Sequence, residues 1–224
     1  MLNRKNSLFE RLYTYCEKNK FDFAYDKLTY QGRMHREVAL FPNHSFYQSE
    51  LKEAFDIPNL PIKTKEGLKR QIRPLSLSSP TKNDLTDLLA RKRLIFFQSK
   101  EDKSNHFGKK NIQEADLVVR IVQAIKKLYD FNSRPFSEKK TIGIITPFRN
   151  QIALIKQKLE EANIPNFEDI TVDTVERYQG SQRDIIIFSF AINNPFQLNG
   201  IVNLNDDGTV DRKLNVALTR AKNN

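Results

Sequence analysis

TVERYQGSQRDIIIFSF (residues 174–190) and, downstream of it, KLNVALTRAK (residues 213–222) set the architecture of this 224-residue chain. Residues 185–188 are all β-branched or aromatic, the composition of a strand covered on both faces inside a parallel sheet. Just before it, Gln179 and Gly180 place a polar side chain next to a residue that lets a backbone approach closely. The second stretch reads as a helix with a single arginine, Arg220, near its end. Polar turn, apolar strand, loop and helix together make one α/β unit.

Neighbouring segments repeat the alternation. Residues 141–146 read as a strand and 147–162 as a helix with proline in its first turn. Residues 114–129 place Leu117, Val118, Ile121, Val122, Ile125 and Leu128 at helical spacing. Further strands are expected at 94–98, 170–174 and 184–192, a loop at 100–110, a hairpin or ordered loop at 199–211, and a helix at 212–222. Strands separated by helices predict an α/β fold with a parallel sheet flanked by helices. Near the start, Ser7 and Glu10 have capping-box spacing and open a helix with Leu8, Leu12 and Tyr15 along one stripe. A short strand follows at 23–30, then a helical turn at 35–41 stopped before Pro42. Residues 60–93 differ in character: nine Lys or Arg stand against three acids, and Pro61, Pro74 and Pro80 interrupt them. This stretch reads as an irregular insertion or connection that holds six of the net +10 charges. Its cations Lys63, Lys65, Lys69, Arg70 and Arg73 follow no motif, and form either a solvated face or a nucleic-acid-contacting insertion.

Composition narrows the class. Hydrophobic residues at 39% suffice for one core, and a net charge of +10 favours a polyanionic partner. The single cysteine, Cys16, excludes an internal disulfide framework and suits a reducing compartment. His35, His44 and His106 are scattered, so no metal-ligand spacing exists. No apolar run approaches membrane-spanning length, and the start lacks a signal-peptide core. The expectation is a soluble, cytoplasmic protein without a membrane partner. None of the seven glycines takes part in a G-x-x-x-x-G-K-[ST] phosphate-binding loop. No apolar strand ends in an Asp-Glu pair able to hold Mg²⁺.

The two opening stretches resemble motifs V and VI of superfamily 1 helicases, in the branch containing the nonsense-mediated-decay RNA helicase and its DNA-processing relatives. YQGRMHREVALFPNHSFY (residues 30–47) resembles the Q-Y-R-M-H-P segment of that family, and TPFRNQ (residues 146–151) its T-P-Y-x-x-Q segment. The resemblance implies a RecA-like domain of the P-loop NTPase type without the P-loop itself. Residues 1–224 would be the second motor domain, with both ends cut, and the P-loop lysine, catalytic glutamate and Mg²⁺ ligands would come from an N-terminal RecA-like domain of the same protein. ATP with Mg²⁺ is then the expected cofactor, and single-stranded DNA or RNA the expected partner.

The resemblance also assigns residues. Arg33 and Arg220 become the arginine fingers that meet the γ-phosphate; read from the residues alone, Arg220 is equally a solvated cation that suits a helix C-terminus. Gln31, Gln179, Gly180 and Gln182 become nucleotide-binding, and Thr146, Arg149 and Thr174 become nucleic-acid-binding. Thr146 also reads as a plain helix N-cap, and the two roles are compatible. Three departures stand out. Gly32 replaces the tyrosine that stacks on adenine in relatives, with Tyr30 the nearby aromatic; Arg36 replaces a proline; and Gln182 replaces a ribose-binding acid by a neutral amide. An alternative from another class is a nucleic-acid-binding or scaffolding module that keeps the fold without a motor.

Overall fold

The computed structural model of the protein describes residues 8–204 and 208–223. In chain order the elements are α1 (Leu8–Lys18), β1 (Tyr30–Gln31), α2 (Arg36–Phe46), β2 (Lys52–Glu53), α3 (Ile62–Leu68), α4 (Leu85–Arg91), α5 (Ile112–Phe131), β3 (Ile142–Ile145), α6 (Arg149–Glu161), β4 (Thr171–Asp173), β5 (Ile185–Phe188), α7 (Pro195–Ile201) and α8 (Arg212–Leu218). Side chains start many of the helices. His35, Asp84, Asn111, Asn194 and Asp211 each accept a first-turn backbone N–H of the helix that follows. The capping box at Ser7 lies outside the described residues.

The main sheet is parallel, in the order β4-β3-β5, and β1 pairs with β2 in a separate parallel ladder. This is a mixed α/β chain with helices flanking parallel strands, consistent with a RecA-like domain. Alternation along β3 explains the layers. Ile142 and Ile144 join Val118, Val122, Ile155, Leu159 and Ile187 in the main core beneath α5 and α6. Ile145 points to the opposite face, where it meets Val175, Tyr178 and Ala217. A third cluster there packs Met34, Val38 and Ala39 of the α2 region on Ala221. β5 is packed on both faces, Ile185 and Ile187 toward the main core and Ile186 and Phe188 toward the other side. Only Ile187 of the four is buried, so the cover is thinner than its composition predicts.

The edge of β5 away from β3 is nearly bare. There Lys222 N–H donates to Arg183 O (2.9 Å), Asn223 N–H donates to Asp184 O (2.9 Å), and Arg183 and Ala221 form an isolated parallel bridge. Beyond Asp184 no strand lies along that edge among the described residues.

Several elements differ from the sequence reading. Pro42 does not stop a helix; it lies inside α2. Its missing donor is tolerated because Val38, Ala39 and Pro42 make one buried stripe. Asn43 then secures the helix end by exchanging two hydrogen bonds with the backbone of Leu51 (2.8 and 2.9 Å). Residues 23–30 form no strand before Tyr30: a 3-10 turn at Asp22–Ala24 comes first, and Phe21 stacks with Tyr15 and Phe23 rather than on a sheet. Residues 94–98 alternate in exposure as a strand would and Phe97 packs on the core, but no ladder forms. Alternation places side chains; a strand also needs a neighbour's backbone. Pro147 precedes the N-cap Phe148 instead of opening α6. Residues 199–211 begin within α7, and an isolated antiparallel bridge joins Leu204 to Asp211. The last helix ends at Leu218, which leaves Arg220 beyond its C-cap, Thr219. Within 60–93 the chain forms α3 and α4, while PLSLSSPTKND is loop.

Candidate functional site

Arg33 projects from a turn that is fastened from within and from both sides. Gln31 Oε1 accepts the backbone N–H groups of Arg33 (3.0 Å) and Met34 (2.7 Å), and its Nε2 donates to Met34 O (2.9 Å). These bonds spend the Gln31 side chain on its own turn. Behind it the fully buried Gln71 donates to Gln31 O (2.8 Å) and Met34 O (3.2 Å), and Arg70 donates to Gly32 O. His35 N–H donates to Lys222 O (2.7 Å). The His35 ring is buried: Nδ1 caps α2 by accepting Glu37 N–H (3.1 Å), so Nε2 carries the proton toward Arg73 O (2.9 Å). Burial, and next the Arg93 charge, push the His35 pKa below its ordinary 6.5. Part of the basic run therefore straps the Arg33 turn in place. Lys65 lies over the Phe55 ring and Lys69 pairs with Glu66.

Held this way, Arg33 reaches the end of α8. Its Nη1 donates to Thr219 O (2.9 Å) and its Nε to Gln182 Oε1 (3.3 Å). Arg220 follows Thr219 directly, and its Nε donates back to Val216 O (3.0 Å). Burial lowers the Arg220 pKa, and the Arg33 charge lowers it further; Tyr47 acts in the opposite sense. Neither guanidinium has a carboxylate within ion-pair distance among the described residues. Nearby, Asn215 Nδ2 donates to Tyr47 Oη (3.2 Å), while the buried Asn215 Oδ1 has no partner. Two neighbouring cations without an acid carry the charge that a multiply charged anion would offset.

The turn before β5 supplies the third wall. Tyr178 is buried, its hydroxyl donates to Thr171 O (2.6 Å), and burial raises its pKa to about 12. Gly180 has φ +85°, a left-handed conformation that glycine adopts without strain. Gln179 and Gln182 are exposed on either side of it. The amide nitrogen of Gln182 makes no hydrogen bond among the described residues, because only its oxygen meets Arg33. The structure thus joins Arg33, Arg220 and Gln182, carries Gln179 and Gly180 on the adjoining turn, and leaves Gln31 as a support. Tyr30 is 40% exposed in β1.

A second set of residues lies at the C-terminal ends of β3 and β4. A groove of about 400 Å³ there is lined by Arg149, Lys156, Asp173, Thr174 and Arg177. Thr174 N–H donates to Asp173 Oδ1 (2.8 Å), and Arg177 lies 3.7 Å from the same carboxylate. Lys156 has no ion-pair partner among the described residues. It was not singled out in the sequence, although it falls seven residues after Arg149 on the same helix face. Thr146 behaves differently: it is fully buried, its N–H donates to Asp173 O (3.1 Å), and its hydroxyl has no partner. Gln151 is also fully buried. It exchanges hydrogen bonds with the Asn111 backbone (2.8 and 3.1 Å) and donates to Ser189 Oγ (3.2 Å). Glu114 extends that cluster by accepting from Ser99 Oγ, Ser189 Oγ and Ala191 N–H. These residues fix the loops behind the groove, and nothing in their spacing announced it. Among the described residues no group of His, Cys, Asp and Glu is placed to hold a metal ion, and no helix is long and apolar enough to cross a membrane.

Comparison with known proteins places the chain in a family. Residues 4–224 match the family described as AAA domain. The chain is 31% identical over 223 residues to Helicase sen1 of Schizosaccharomyces pombe, covering 99% of this chain and 11% of that protein. It is 28% identical over 219 residues to the DNA polymerase alpha-associated DNA helicase A of the same organism, covering 96% of this chain and 29% of the relative. The Regulator of nonsense transcripts 1 homolog of Arabidopsis thaliana is 31% identical over 221 residues, covering 96% and 15%. The chain therefore spans less than a third of the length of these relatives.

Proposed function

The chain belongs to the AAA domain family and, within it, to the superfamily 1 helicases of the Sen1 and nonsense-transcript-regulator branch, and we propose that it is the second RecA-like motor domain of an ATP-dependent helicase. In this reading Arg33 and Arg220 face the γ-phosphate of ATP, which is bound with Mg²⁺ chiefly by a P-loop domain across a cleft. The observation that carries it is the pair itself: Arg33 binds the carbonyl just before Arg220, the two charges repel, Arg220 is partly desolvated, and no carboxylate among the described residues pairs with either. A polyanionic triphosphate relieves that repulsion, and charge gathering on its oxygens during transfer is met by two planar donor forks. The free Gln182 amide leaves a donor for a ribose hydroxyl. Thr174, Arg149 and Lys156 would grip the backbone of a single strand without reading its sequence. Thr146 stiffens that wall from below, or contacts the strand only once the groove opens.

The test uses a protein in which this chain is joined to its P-loop domain. Arg33→Ala and Arg220→Ala are each expected to lower ATP turnover about 10²-fold or more, a modest figure beside the ~10³–10⁵ of arginine fingers elsewhere. The double variant should lose less than the product, because both groups serve one charge. Lysine at either position should not restore the rate. Normal turnover in Arg220→Ala, together with weakened strand binding, would move that residue to the other ligand.

A further inference from the structure

Two aromatic rings stand almost clear of the fold. Phe107 is 88% exposed and Phe196 is 84% exposed. A single exposed phenylalanine needs no explanation, but these two sit on segments stitched together by side-chain amides, Phe107 in a loop and Phe196 in the first turn of α7. Asn193 Nδ2 donates to Lys110 O (2.8 Å), Gln197 Nε2 donates to Gly108 O (2.8 Å), and Asn194 Nδ2 donates to His106 O. Asn111 Nδ2 donates to Asn193 Oδ1 (2.9 Å) from the base of the same loop. Phe107 and Phe196 are therefore each one residue from a stitch, on two backbones fixed against each other. Stiff mounting of exposed apolar rings preserves a surface that the fold itself does not use.

The surroundings are cationic. Lys103, Lys109 and Lys110 share the loop with Phe107. Lys109 Nζ lies 5.8 Å from the centroid of the Phe148 ring, and Phe148 immediately precedes Arg149 of the groove. The Asn111 backbone is bound to Gln151, two residues beyond Arg149. The Lys109–Phe148 contact thus links the loop that carries Phe107 to the groove at Arg149.

We propose that Phe107 and Phe196 are a stacking platform for the unpaired bases of a single-stranded nucleic acid whose phosphates follow the Arg149–Lys156 groove. Every base offers a π-face, so rings without neighbouring base-reading groups grip a strand without choosing its sequence, while the lysines complement its charge. The inference rests on the helicase reading given above, and its test separates the two.

The chain itself serves, with labelled single-stranded oligonucleotides and the same oligonucleotides carrying abasic sites, followed by fluorescence anisotropy over a range of salt. Phe107→Ala and Phe196→Ala should each weaken binding about tenfold at every salt concentration. They remove no charge, so the slope of log affinity against log salt should stay unchanged. Lys156→Ala should instead flatten that slope by about 0.7. Abasic strands should bind the wild-type chain as weakly as intact strands bind the double phenylalanine variant. The sequence contains no tryptophan, so Phe196→Trp adds a lone reporter that should keep its affinity and be quenched by intact but not by abasic strands. Equal binding of intact and abasic strands, alanine variants as tight as wild type, or an unquenched tryptophan would each overturn the platform while leaving the groove standing. A wild-type chain that bound no single strand at all would overturn the helicase reading and the platform with it.

Discussion

Gln182 holds Arg33 through a neutral hydrogen bond, and the neutrality matters. A carboxylate there would turn the contact into an ion pair worth roughly 1 kcal/mol more, after allowing for its exposure. Arg33 would then be held back from a phosphate. Gln182→Glu is expected to slow ATP turnover of the assembled motor about fivefold, with Gln182→Ala as the uncharged comparison. A change in KM alone would mean that Gln182 acts through the ribose and not through Arg33. His35 supports the same turn from behind, and its lowered pKa has a direction in pH. The unfolded chain takes up this proton near pH 6.5 while the folded chain resists it, so stability is present above that value and falls as the pH drops below it. Protonation at Nδ1 also removes the acceptor that caps α2. Urea unfolding at pH 7.5 and 5.5 should show the wild type losing on the order of 1 kcal/mol. His35→Ala should start about 1–2 kcal/mol lower and change less between the two.

β3 shows how closely a strand can be specified by what lies on it. A Cβ on Gly143 would sit 2.6 Å from the Tyr178 hydroxyl and 2.8 Å from Arg183 Cγ. Gly143→Ala should therefore destabilise the domain by about 1–3 kcal/mol, as measured by chemical denaturation. Combined with Tyr178→Ala, it should cost less than the sum, since the ring it strikes is gone. Runs such as 142–145 and 185–188 were readable because burial on both faces leaves β-branched and aromatic residues, broken only by Gly143 where Tyr178 leaves no room for a side chain. The long helix α5 was readable because its stripe repeats for five turns. What stayed hidden depends on partners distant in sequence. Pro42 continues a helix because a buried stripe and Asn43 hold it, and 94–98 has the side-chain pattern of a strand without a neighbour to pair with. Similarly, the motifs marked Arg33, Arg220, Thr174 and Arg149, but not that Gln31 would be consumed by its own turn or that Thr146 would be buried. Lys156 could have been found from its helical spacing to Arg149. Phe107 and Phe196 could not, because exposure leaves no periodic trace.

Within these 224 residues there is no phosphate-binding loop, so the proposed nucleotide site needs its other side from a P-loop domain. The chain on its own is expected to release no phosphate from ATP, even with single strands present. Steady-state release near 1 s⁻¹, an ordinary enzymatic rate, would contradict the two-domain reading. The positive charge is likewise unevenly placed. The Arg70 guanidinium is engaged with the backbone of the Arg33 turn, whereas Lys156 lines the groove and Lys109 lies over Phe148 beside it.

The bare side of β5 makes that strand a clock with two rates. Ile185 and Ser189 donate their N–H groups to the backbone flanking β3, and alternation turns the amides of Ile186 and Phe188 the other way. Transferred to heavy water, the first set should exchange only when the sheet opens, and the second on the much shorter time of local solvation. Any backbone that comes to lie along that edge should bring Ile186 and Phe188 down to the pace of their neighbours, so that two amides report when the sheet has gained a strand.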